Sequence, residues 1–88
     1  MGKLVESNLP KDVIFGMPVV TAVGNCEVHI ENFQSIMEYN AHILRLKTKG
    51  GSLAVCGKRL VICYFNAEEI HIRGVIDEVV LPGGGMEA

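Results

Sequence analysis

Tryptophan is absent from this 88-residue chain, aromatic residues make up 6% of it, and the formal net charge is only −2. So small a charge gives no global electrostatic reason to expect a nucleic-acid or acidic-membrane partner, and any basic patch has to be local. The three cysteines, Cys26, Cys56 and Cys63, are an odd set without CxxC spacing, for which reduced thiols in a cytosolic setting are the simplest account. Residues 1–5 lack the apolar core of a signal peptide, and the longest apolar runs are far too short to cross a bilayer, so a soluble chain is expected. Helical periodicity is also missing from the body of the chain. Gly50-Gly51 and Gly83-Gly84-Gly85 do not lead into helices, so neither reads as a phosphate loop.

What is present is alternation. Residues 42–65, HILRLKTKGGSLAVCGKRLVICYF, form three alternating runs cut by two glycine-bearing breaks. Because successive side chains of a strand point to opposite faces, a register can be tested by whether it groups like residues. A two-residue turn at Gly50-Gly51 sets Leu46 opposite Val55, and a second at Gly57-Lys58 sets Val55 opposite Leu60 and Leu53 opposite Ile62. Both turns give one greasy face (Leu44, Leu46, Leu53, Val55, Leu60, Ile62) and one mixed face (Arg45, Lys47, Ala54, Cys56, Arg59, Val61, Cys63).

The flanks follow the same logic. Residues 19–30 read as a hairpin with Gly24-Asn25 at its tip, pairing Val23 with Cys26, Thr21 with Val28 and Val19 with Ile30. Phe33 is expected to plug one end of the sheet, and Asn40-Ala41 to turn the chain back. A loop of residues 66–68 places Ile70 opposite Tyr64 and Ile72 opposite Ile62, sending His71 and Arg73 to the mixed face. Gly74 inside a strand pattern signals a bulge or bend. Short strands at such regular spacing predict an all-β fold, a small antiparallel meander forming a sandwich or a partly open barrel. One domain over residues 19–82 is expected, at a size where the core is thin. A lead-in over residues 1–18 carries a short helical turn or is extended, and a glycine-rich tail covers residues 83–88.

Catalytic chemistry finds little support. Cys26-x-x-His29 is the nearest pair to metal-ligand spacing, and its side chains point to opposite faces in the hairpin register. Cys63 beside His71 suggests a thiol nucleophile but brings no third orienting group. Neither an enzyme, nor a metal, nor a cofactor is expected. The mixed face, with Arg45, Lys47, Arg59, Val61, Cys63, His71 and Arg73, is too apolar for a plain solvated surface and too charged for a core. It reads as a docking surface for a protein partner, or as a solvated face of long basic stems over small apolar residues. A nucleic-acid-binding sheet using Arg45, Lys47, Arg59 and Arg73 is the alternative, weakened by the lack of stacking aromatics.

Taken together, LPKDVIFGMPVVTAVGNCEVHIENFQSIMEY, LRLKTKGGSLAVCGKRLVI and AEEIHIRGVIDEV resemble the YqfC/YabP family of small sporulation proteins, on the YqfC side, over residues 9–80. The resemblance implies an endospore former and a structural or morphogenetic role without catalysis in the mother-cell cytoplasm, or peripherally at the forespore membrane. It also implies a partnership with the membrane protein YqfD. Self-association through a strand edge is a further expectation. The family supplies no catalytic residues to carry over.

Overall fold

The computed structural model describes residues 16–83. Within them the chain forms six strands: β1 (Val19–Val23), β2 (Glu27–Glu31), β3 (Phe33–Tyr39), β4 (Ile43–Thr48), β5 (Gly51–Phe65) and β6 (Glu69–Val80). All pairings are antiparallel, in one sheet of order β1-β2-β6-β5-β4-β3. The all-β antiparallel expectation holds. The expected helical turn lies outside the described residues apart from Gly16, and the glycine-rich tail apart from Gly83.

Val28, Ile30, Leu44, Leu46, Leu53, Val55, Ile70 and Ile72 are fully buried, and Phe33 and Leu60 nearly so. A flat single sheet would leave one side of each strand in water. Burial this complete therefore requires the sheet to curl until its inner face meets itself. Among the described residues β1 and β3 are its two edges.

The bend is written into the two longest strands. At Gly57 an added Cβ would stand 1.9 Å from the Val75 carbonyl oxygen, so only a residue without a side chain lets β5 and β6 touch there. One turn further, Arg59 and Leu60 oppose Gly74 alone, and the register shifts between Lys58 and Val61. Arg59 lies at φ 54° and Gly74 at φ 148°, and a Cβ on Gly74 would fall 2.6 Å from the Arg59 carbonyl oxygen. This is the bulge that Gly74 predicts. The loop before β4 caps it: the amides of Gly57 and Leu60 donate to the carbonyls of His42 and Ala41, and the Tyr39 hydroxyl donates to the Leu60 carbonyl at 3.0 Å.

Several expected registers need correction. Gly57-Lys58 is not a turn, because β5 continues through it. The inward face nonetheless comes out as expected, with Val55 and Leu60 buried and Ile62 packed against the core. A one-residue bulge changes the parity of a strand as a two-residue turn does, so both satisfy the same hydrophobic pattern. The β4–β5 turn centres on Lys49-Gly50, with Thr48 opposite Gly51, because the buried Thr48 hydroxyl donates to the Gly51 carbonyl at 2.6 Å and closes the hairpin one residue early. The resulting two-residue shift leaves the faces unchanged. Between β1 and β2 the loop is Gly24, Asn25 and Cys26, with Val23 opposite Glu27. That single-residue slip turns Val20 toward the core and exposes Val19 and Val23. After β5, Phe65 rather than Tyr64 faces Ile70, because Cys63 is an extra residue on its strand; Ile62 faces Ile72 as expected.

Two asparagines set the turns after β3 and after β5. Asn40 Oδ1 accepts from the amides of His42 and Ile43, at 2.7 and 3.0 Å. Asn66 Oδ1 does the same for Glu68 and Glu69, at 2.8 and 3.0 Å. Both are Asx turns, in which the side chain replaces a backbone acceptor that the turn lacks.

Candidate functional site

The outward surface of the sheet falls into two parts separated by the bulge. On one side, Arg45 and Lys47 stand on β4 opposite Ala54 and Ser52. On the other, Val61 pairs with Arg73 and Tyr64 with His71. Arg59 sits between them, in the bulge itself. The seven residues read from the sequence as one docking surface are thus divided: Arg45 and Lys47 near the start of β5, Val61, Cys63, His71 and Arg73 near its end.

Carboxylates answer several of the cations. Arg45 Nη2 lies 3.2 Å from Glu38 Oε1, Arg73 Nε 3.7 Å from Glu27 Oε2, and Lys58 Nζ 3.9 Å from Asp77 Oδ2. These pairs are exposed enough that each contributes little to stability. Their effect is on the field, since they neutralise part of the basic stripe.

The second part of the surface is the more apolar. Val61 and Tyr64 are each about half exposed on this outward face, at 54% and 47%, whereas Phe65, opposite the buried Ile70, is exposed at the end of the inner face. Tyr64 meets the His71 ring edge-on, with centroids 5.7 Å apart. Phe65 forms one wall of an apolar groove of about 400 Å³ whose other wall is Phe33 to Ile36 at the start of β3. Phe33 is buried at the base of this groove, the plugging role its sequence position suggests.

Across β6 lies a cluster that sequence reasoning missed. His29 and His71 are direct cross-strand partners, their rings 6.0 Å apart and nearly perpendicular. His29 Nε2 is 2.7 Å from Glu69 Oε1, and His71 Nε2 is 3.6 Å from Glu27 Oε1. Turn rules connect strands that are neighbours in sequence, whereas β2 pairs with β6 at the far end of the described chain. The one available signal was the matching alternation of E-V-H-I-E and E-I-H-I-R, two strands that place His and charge on the same face. Cys63, expected beside His71, is the unpaired residue of a register shift, and Tyr64 takes the place across from His71. All three cysteines are free thiols.

The chain is 35% identical over 71 residues to the Bacillus subtilis (strain 168) protein YqfC, an alignment covering 81% of this chain and 76% of that one. The profile of the YabP family matches residues 18–87, which includes every strand of the sheet, and the chain belongs to that family.

Proposed function

We propose that this protein serves sporulation in a structural or morphogenetic role, working in the mother cell by docking on another protein rather than by transforming a substrate. The observation that carries the reading is the pair Val61 and Tyr64, two large side chains about half exposed on the outward face of one short stretch of β5. Apolar surface gathered in this way beside Arg73 and His71 suits a partner with a matching apolar patch and a polar rim. Family membership supports the sporulation setting, and the resemblance to the YqfC branch makes the membrane protein YqfD the partner to test.

The test is co-purification of YqfD with the tagged chain from sporulating cells, comparing wild type with Val61→Glu and Tyr64→Ala. Retention by wild type and loss in both variants is expected. Equal recovery from all three would remove this surface from the reading.

Self-association is a second mode of docking, favoured by one feature of β1. Its sequence VVTAV is uncharged and its ladder to β2 has no register shift, so among the described residues its outer edge lacks the usual protections against pairing with another strand. Sedimentation at rising concentration tests it: a dimer that Thr21→Pro abolishes is expected, and a strictly monomeric wild type rejects it.

A further inference from the structure

From the geometry of the β2–β6 pair we infer a divalent-metal site formed by His29, Glu31 and Glu69, with Zn²⁺ as the ion the donor set fits. Glu31 and Glu69 are direct partners across two antiparallel strands, an arrangement in which like charges destabilise the pairing unless a positive charge lies between them. His29 is the residue placed between. Its Nε2 lies 2.7 Å from Glu69 Oε1 and its Nδ1 3.9 Å from Glu31 Oε2. One donor atom from each of the three residues lies within 4.8 Å of the others.

A divalent ion balances the facing carboxylates of Glu31 and Glu69. One imidazole nitrogen and two carboxylate oxygens form a borderline N/O set, which suits zinc better than the all-oxygen preference of Ca²⁺ or Mg²⁺. Ligand bonds of about 2.0–2.2 Å require the three donors to draw together. They have room to do so, since the side chains of His29, Glu31 and Glu69 are 30%, 48% and 33% exposed.

The surroundings provide a fixed frame and an open position. The Asn32 amide donates to the Glu68 carbonyl at 2.7 Å, tying the turn after β2 to the turn before β6. Between these turns is a polar hollow of about 250 Å³ lined by Glu31, Asn32, Glu68 and Glu69. Two of the three donors, Glu31 and Glu69, thus border space that solvent can reach. The bound ion would staple β2 to β6, the pairing through which the β1–β2 hairpin joins the sheet.

The experiment is a Zn²⁺ titration of the purified full chain against a chromophoric chelator, with Co²⁺ absorption as the report on donor type. The variants are His29→Gln, Glu31→Gln and Glu69→Gln, with His42→Gln as control. One ion per wild-type chain is expected, with affinity falling about tenfold or more in each of the three variants and unchanged in the control. The Co²⁺ complex should lack a thiolate charge-transfer band, and Zn²⁺ should raise the melting temperature of wild type and of the His42→Gln control but not of the three site variants. Circular dichroism identifies the variants that remain folded, and the half-exposed Glu31 gives the change least disturbing to the fold. Wild-type affinity no greater than that of Glu31→Gln, or a thiolate band from Cys26, Cys56 or Cys63, overturns the site.

Discussion

Along β5, residues 54–56 are paired with β4 on one side and β6 on the other, whereas residues 61–65 are paired, among the described residues, with β6 alone. Leu53 and Val55 in the first half are fully buried, while Val61, Tyr64 and Phe65 in the second are about half exposed. One strand thus serves two purposes. The doubly flanked half anchors the core, and the singly flanked half leaves apolar side chains and a backbone edge for another molecule. The bulge at Gly57 to Leu60 separates them and turns the strand from one role to the other.

The sharpest way to break this division is at the bulge. Gly57→Ala sets a methyl group against the Val75 carbonyl, a backbone atom that cannot move aside alone, and is expected to cost on the order of 4 kcal/mol or to prevent folding. Chemical denaturation measures it, and a stability close to wild type would mean that the strands do not need their close approach. Next comes Leu53→Ala in the anchored half, for which cavity formation predicts a loss of about 3 kcal/mol in the same assay. Asn66→Ala, at the turn that ends the exposed half, removes the one side-chain oxygen that accepts from two exposed amides and should cost about 1 kcal/mol. Smallest is Tyr64→Ala, expected within about 0.5 kcal/mol of wild type although it weakens partner capture. Should its cost match that of Leu53→Ala, the two halves of β5 would not differ in the way described.

Which side chains face inward was legible in the sequence, because alternation fixes a face wherever a strand is half buried. Leu44, Leu46, Leu53, Val55, Leu60 and Ile62 all turn toward the core as expected. How the chain travels between those positions was less legible. Gly57-Lys58 resembles a turn, and the passage from Val55 to Leu60 changes parity in either geometry; only the carbonyl of Val75 decides the matter, and it belongs to another strand. Gly24-Asn25 likewise suits both a two-residue and a longer loop, and the longer one reversed β1. For the candidate surface, Val61 and Arg73 were placed together correctly, while Arg45 and Lys47 were not separated from them because the bend was unseen. The His29–Glu69 contact escaped because its strands meet through a crossover.

That crossover bears on how the chain comes to be folded. β3 to β6 follow one another as neighbours, so each can pair soon after it emerges during synthesis. Among the described residues the β1–β2 hairpin is made before the other strands yet pairs only with β6, the last of them to appear, and a two-stranded hairpin alone is marginal in water. Until β6 arrives, Val28 and Ile30 stand on a strand whose outer edge has no partner in the sheet. Late closure of this kind slows folding and leaves an early, apolar hairpin open to wrong partners, which makes completion of β6 the step on which the yield of folded protein depends.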